Sequence, residues 1–222
     1  MVANVASASS FLVSLAAANQ VLLERIGTAT RQEPSGDLTV PQLLRLALER
    51  ELGARELAAR WMSACPELDA KLAFARQCGD EARHYGLIVH RLAELGDDLA
   101  GFDPLAAGFS PLFQYLATLE TTVERAAAGP YTRESLAVVR NEAFIEFCEA
   151  QGDSQTADLY RSVIQPDERH HHQLGHRLLE RYAVDPESQS RALAVSAQVL
   201  TLAEELQELA RLKAGICRAP GC

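Results

Sequence analysis

Strand signals are nearly absent from this chain. No run alternates β-branched with polar residues, which excludes a fold built on a sheet. No stretch reaches the ~18 apolar residues that a bilayer crossing needs, so no membrane span is expected. No cluster of Lys and Arg offsets the acid: the formal net charge is −9 and the pI about 5.2. A nucleic-acid surface is therefore not expected either. Cys-x-x-Cys is missing as well. The five cysteines, at 65, 78, 148, 217 and 222, are odd in number and unpaired in spacing. That fits a reducing compartment, and hence the cytoplasm, better than a disulfide framework. Cys217 and Cys222 sit in a Gly/Pro tail and are expected as free thiols. The opening "MVANVASASS" carries no Lys or Arg. The "FLVSLAAANQ" that follows has the look of a weak leader core, but its apolar pattern runs on through Leu22, Leu23 and Ile26 and reads as an amphipathic helix.

What is abundant is Ala, Leu, Glu, Arg and Gln, all good helix formers. Gly, Pro and Asp punctuate them. "RQEPSGDLTVP", Pro66, "LGDDLAGFDPLAAGFSP", "AGP" at 128–130, "QGDS" and "VDP" mark the breaks. The pattern predicts helices near 5–27, 41–64, 67–95, 111–127, 131–150, 155–183 and 187–214. This is an all-α bundle in one domain of 222 residues. Two tight hairpins, 41–95 and 131–183, are joined by a crossover at 96–130 and flanked by N- and C-terminal helices.

Each hairpin carries Asp-Glu-x-x-His in its second arm: "DEARHYG" from Asp80 and "DERHHHQ" from Asp167. Random placement of the chain's residues gives roughly half a Glu-x-x-His match, but only about 0.02 with the leading Asp. Two copies point to a repeated element with a repeated chemistry. Residues i and i+3 share a helix face, so one helix can deliver a carboxylate and an imidazole to one cavity.

Helical geometry sorts the other acids. In 41–64, Leu43, Leu44, Ala47, Leu48, Ala54, Ala58, Trp61 and Met62 form one arc, and Glu51 falls near its middle. Glu49 and Glu56 fall opposite and read as surface charge. A carboxylate on the apolar arc is costly unless paired or metal-bound. In the next helix Glu81 falls among Phe74, Tyr85, Ile88 and Leu92, with His84 at the edge of that face. Glu51 lies 15 residues before Pro66 and Glu81 15 after it, so an antiparallel hairpin brings them level. In 155–183, Glu168 and His171 flank the centre of the apolar face, while His170, His172 and His176 read as solvated. The fourth carboxylate comes from 131–150, a helix apolar nearly all round with Glu142, Glu146 and Glu149 on one stripe; Glu142 lies furthest from the turn, nearest the level of Glu168, and is favoured, with Glu146 as the alternative.

The predicted site is thus Glu51, Glu81, His84, Glu142, Glu168 and His171. Asp80 and Asp167 are candidate acceptors that orient the histidines across the bundle. Four carboxylates balance two divalent cations, and oxygen-rich donors with only two imidazoles favour iron or manganese over zinc. Residues 41–183 with this motif resemble the ferritin-like di-iron carboxylate superfamily. "FSPLFQYLATLE…NEAFIEF…PDERHH" is similar in layout to aldehyde-deformylating oxygenases. "LAFARQCGDEARHYGLIVHRLAELG" is similar to the ferritin-like subunits of phenylacetyl-CoA epoxidases. The rubredoxin iron of full-length rubrerythrins is excluded by the missing Cys-x-x-Cys pairs.

The resemblance implies a ferritin-like four-helix bundle and two Fe ions, with Mn or mixed Mn/Fe as alternatives. It implies an oxygenase or oxidase taking O₂ and a small apolar organic substrate, with room for an external electron donor. A ferroxidase or peroxide scavenger, and a helical partner protein with a structural metal site, are the rival readings. Pro166 is expected to bend its helix. Val195, Val199, Leu202, Leu206 and Leu209 form a seam that fits either a homodimer or packing on the chain's own bundle. Tyr85, Phe144, Phe147 and Tyr160 fit either a substrate channel or the core.

Overall fold

The computed structural model describes residues 7–32, 38–214 and 219–221. Among them the only regular structure is helical, in seven rods, with no strand. They are α1 (Ala8–Gln32), α2 (Val40–Ala64), α3 (Leu68–Glu94), α4 (Pro111–Ala117), α5, α6 and α7 (Pro186–Ala214). The rod α5 is composite: Thr122–Ala126 is α-helical, Ala127–Arg133 is π-helical, and Glu134–Ala150 is α-helical again. So is α6, with Ser154–Leu159, a π segment Tyr160–Ile164, and Gln165–Tyr182.

Local chemistry sets the starts. The Thr39 hydroxyl accepts from the Gln42 amide while the Gln42 side chain accepts from the Thr39 amide, and Pro41 occupies the first turn of α2. Ser110 caps α4 ahead of Pro111. Thr121 and Glu124 make a second reciprocal cap, at the start of α5.

Several boundaries depart from the pattern. The first helix runs past residue 27 to Gln32; of the break expected over 31–41, residues 33–37 lie outside the described residues, and α2 has begun by Val40. The helix expected over 111–127 is cut at 118–121, where Thr121 starts a new rod. The "AGP" stop is not a stop. Pro130 has no N–H to give, and the wider i→i+5 ladder carries the chain through Gly129 and Pro130 into Glu134. Pro166, expected to bend its rod, stands two residues after the π segment that ends at Ile164.

At the α5 π segment two rods meet backbone to backbone. A Cβ on Gly175 of α6 would stand 2.5 Å from the Tyr131 amide nitrogen and 2.7 Å from the Pro130 carbonyl carbon. Only a residue without a side chain fits that approach.

Most of the core lies in two dry layers, beside a smaller cluster of Leu23, Ile26, Leu136, Leu200 and Ala203 that joins α1, α5 and α7. One layer gathers Leu57, Trp61, Phe74, Ala127, Leu178 and Leu179, with Val195 and Val199 from α7. The other gathers Leu44, Leu48, Ile88, Leu92, Phe144 and Tyr160. Phe147 and Ile164 belong to the second layer too, and Tyr85 packs at its margin. The aromatic residues that fitted either a channel or the core are therefore core or its edge. In α7, Leu202 and Leu206 also pack on the chain's own bundle, while Leu209 is 47% exposed. Met62, expected on the inward arc of α2, sits at its edge, 36% exposed. No helix among the described residues is long and apolar enough to cross a membrane.

Candidate metal centre

Along α2 one layer ends at Leu48 and the other begins at Leu57; along α3 they are parted between Phe74 and Ile88. In that gap, between the two dry layers, stand Glu51, Glu81 and His84. From the facing rods α5 and α6 come Glu134, Glu168 and His171. All six are at most 2% exposed.

Their donor atoms form two overlapping groups. Glu51, Glu81, His84 and Glu168 have ligand atoms within 4.8 Å of one another, and so do Glu81, Glu134, Glu168 and His171. Glu81 and Glu168 belong to both. His84 Nδ1 lies 3.4 Å from Glu51 Oε2, 3.5 Å from Glu81 Oε2 and 3.9 Å from Glu168 Oε1. His171 Nδ1 lies 3.4 Å from Glu168 Oε2 and 3.6 Å from Glu81 Oε1.

The other ring nitrogens are held crosswise. His84 Nε2 of α3 is 3.0 Å from Asp167 Oδ2 of α6, and His171 Nε2 of α6 is 3.2 Å from Asp80 Oδ2 of α3. Each aspartate is anchored in turn, Asp80 by Arg76 at 2.6 Å and Asp167 by Arg83. A carboxylate beside Nε2 keeps the proton on that nitrogen, so the Nδ1 lone pair points into the cluster.

Among the described residues, His84 Nδ1, His171 Nδ1, Glu51 Oε2, Glu134 Oε2 and Glu168 Oε2 are buried and have no hydrogen-bond partner. Contacts of 3.4–3.9 Å between them do not meet hydrogen-bond geometry. Buried donors and acceptors are nearly always satisfied, and an isolated buried charge costs several kcal/mol. Five lone-pair atoms aimed at one small space are what a cation needs. The two groups share Glu81 and Glu168, and each has one imidazole of its own.

Electrostatics carry the same strain. Burial pushes the Glu51 carboxyl up to about 8, with the neighbouring carboxylates adding to it and His84 opposing. Burial also raises Glu134 well above the carboxylate range, helped by Glu168 and Glu81. Burial acts the other way on the imidazoles, but the acids outweigh it: Glu51 and Glu81 hold His84 up to about 12. For His171 the acids Asp80 and Glu168 do the same, to about 11. Glu81 goes down to about 2, since His84 and His171 overcome its burial. Asp80 is held below its usual range, His171 and Arg76 outweighing burial. Protons here do the neutralising that cations would otherwise do.

One sequence expectation fails. Glu142 is not in the cluster. Its side chain is 45% exposed and pairs with Arg31 and Arg169, while the alternative, Glu146, is 60% exposed and pairs with Arg31. Glu134 takes the place, eight residues and about 12 Å earlier along the rod. The hairpin rule that levelled Glu51 with Glu81 also finds it. From Gly152 in the turn, Glu168 is 16 residues on, Glu134 is 18 back and Glu142 only 10 back.

Gln77, unremarked in the sequence, is buried one turn before Glu81. Its amide donates to Glu134 and to Glu81 at 3.4 Å. His172, expected to be solvated, is half-buried, its Nδ1 2.7 Å from the Tyr131 carbonyl and 2.9 Å from Ser135 Oγ. Glu56 is exposed as expected, but Glu49 is half-buried. Cys65, Cys78 and Cys148 are free; Cys217 and Cys222 lie outside the described residues.

A family model described as "Protein of unknown function (DUF455)" matches residues 38–219. The chain belongs to the DUF455 family. That match takes in all six clustered donors and both aspartates, and leaves α1 outside. Neither a curated protein nor a solved structure matches the chain.

Proposed function

We propose that the chain is a ferritin-like di-metal oxidoreductase that uses O₂ to oxidise a small, largely apolar organic molecule. The observation that carries this reading is the pair of overlapping donor groups with Glu81 and Glu168 in common. Glu51 and His84 would complete one ion's set, and Glu134 and His171 the other's. Four carboxylates match the charge of two divalent ions, and the oxygen-rich set suits iron, with manganese or a mixed pair as alternatives. Two irons supply the capacity to take up O₂ and pass electrons, which the chain's own side chains lack.

The chain's own part is positional. Asp167 and Asp80 hold the protons on His84 Nε2 and His171 Nε2, so that each ring offers Nδ1. Gln77 donates to Glu81 and Glu134 and fixes their orientation. The two apolar layers above and below keep water out, which strengthens every charge interaction inside. An oxygenase cycle also calls for an external electron donor.

The test is anaerobic loading with Fe(II), followed by air. Two irons per chain and a new near-ultraviolet ferric absorption band on exposure are expected. Two irons bound without any reaction with O₂ would sink the oxidoreductase reading. Fast peroxide turnover without an organic co-substrate would replace it with peroxide scavenging.

A further inference from the structure

The cluster is covered differently on its different sides. The dry layers close it above and below, and Asp80 and Asp167 stand in the seam between α3 and α6. Toward α2 and α5 the cover is not a helix. α2 packs along its length on α3, and no stretch of α5 packs on α2 so closely. Between these two rods lies a strap of three residues that follow α7 in the chain, Ala219–Gly221, all of them buried.

Two side chains hold the strap, one from each rod. Arg50 Nη1 of α2 donates to the Ala219 carbonyl at 2.6 Å and to the Pro220 carbonyl at 2.9 Å. The Gly221 amide donates to Oδ1 of the buried Asn141 of α5, 2.8 Å away. One end of the strap reaches the cluster: a Cβ on Gly221 would stand 3.5 Å from Glu51 Oε1. At the other end Ala219 lines a cavity of about 290 Å³, whose wall includes Leu57, Phe113 and Leu116. The strap therefore separates that cavity from Glu51.

A rod is held by a ladder of backbone bonds and leaves its place only by unwinding. Three small residues held by two side chains can lift together, at the cost of a few hydrogen bonds and little apolar area. The clustered donors are at most 2% exposed, so an ion needs some part of the wall to open. We infer that Ala219–Gly221 is the lid of the metal cluster. Divalent ions pass by way of the cavity and the Glu51 side when the strap lifts, and its closure retains them. The inference rests on the di-metal part of the reading above and not on its redox part.

The test uses the full chain with Mn(II) as the probe. Uptake is timed by the loss of the free Mn(II) electron paramagnetic resonance signal, and release by mixing loaded protein with excess EDTA. Gly221 has a φ of +82°, a conformation that is costly for any residue with a Cβ. Gly221→Ala strains the closed strap, while its Cβ meets Glu51 only at ordinary contact distance. A larger open fraction speeds passage in both directions alike. Uptake and release should each quicken about five- to thirtyfold, with Mn(II) affinity unchanged within about twofold. Gly96→Ala puts the same strain at the same φ in the turn after α3, 12 residues past His84, and should change neither rate.

A second measurement needs no variant. In hydrogen exchange followed by nuclear magnetic resonance, the Gly221 amide should exchange at least about a hundredfold faster than those of Leu44 and Leu48 in α2. Rates untouched by Gly221→Ala overturn the lid, as does a Gly221 amide protected like those of α2. Faster release with unchanged uptake and lost affinity overturns it too, since the strap would then be propping Glu51. A protein that binds no Mn(II) removes the di-metal reading and the lid together. Bound metal without O₂ reactivity, with both rates raised by Gly221→Ala, removes the redox reading and leaves the lid standing.

Discussion

Glu168 faces both imidazoles of the cluster, and its loss removes a donor from both groups at once. Glu168→Ala should therefore empty most of the metal from protein purified out of metal-replete cells. Glu142→Ala, on the exposed side of the same bundle, should leave the metal content unchanged. Elemental analysis of the two variants decides between the donor set in the structure and the one first read from the pattern. Asp167→Asn probes the outer contact. It keeps the shape but weakens the pull on His84 Nε2, so Mn(II) affinity should fall about 10- to 100-fold with the fold intact. Undiminished affinity would mean that the aspartate does not orient the ring. At this scale the sequence was informative wherever an acid fell inside an otherwise apolar arc, as Glu51 and Glu81 do. It misled at Glu142 because a rod that is apolar nearly all round offers no arc to judge by. Gln77 was invisible for a different reason: a neutral amide on a helix has no pattern of its own, and only the carboxylates it meets reveal it.

Helix limits were legible at Thr39 and Ser110, where a side chain caps the start, but not at Thr121, whose reciprocal cap with Glu124 splits the helix expected over 111–127. The two π segments were not legible either. A π turn has no residue signature, and Gly-Pro reads as a stop because an α-helical ladder cannot carry it. That single misreading started a helix at Tyr131 instead of running one through from Thr122, and it drew attention away from Glu134. Both π segments end within four residues of a clustered glutamate, Glu134 after Arg133 and Glu168 after Ile164. Insertions of this kind turn every later side chain around the helix, so they set which acid points inward. The contact at Gly175 holds one of them in place. Gly175→Ala must push the rods α5 and α6 apart, because the atoms in its way are backbone. A loss of about 1–3 kcal/mol in urea unfolding is expected. Metal content should fall as well if Glu134 moves with its rod. A neutral result in both would overturn the backbone-to-backbone contact at Gly175.

The whole molecule encloses a charged layer between two dry ones, and pH acts on that layer. With metals chelated, Glu51 keeps its proton in the fold up to about 8, against 4.5 ordinarily. His84 keeps its proton to about 12 and His171 to about 11, against 6.5. In each case the folded chain binds more protons than the unfolded one, so the stability they contribute is present at low pH and is lost as pH rises. Glu81, displaced to about 2, matters only in acid, where its contribution is lost as pH falls. The melting temperature of the chelated protein should therefore drop between about pH 6 and about pH 9. Saturating Mn(II) should reverse the trend, since metal displaces those protons and binds more tightly as they leave. Calorimetric scans at the two pH values, with chelator and with Mn(II), test both halves; a flat profile in chelator would contradict the burial of the acids.

The exchange of aspartates between the two Asp-Glu-x-x-His segments has a consequence for the chain as a divisible object. The residues up to the end of the first hairpin own His84 but not its acceptor, and the residues after the crossover own His171 but not its acceptor. Cut at residues 96–110, the polypeptide would yield fragments that each carry an imidazole with nothing to fix its tautomer. Competence would return only on mixing, so fragment complementation, and not truncation, is how this molecule can be taken apart and still counted as working.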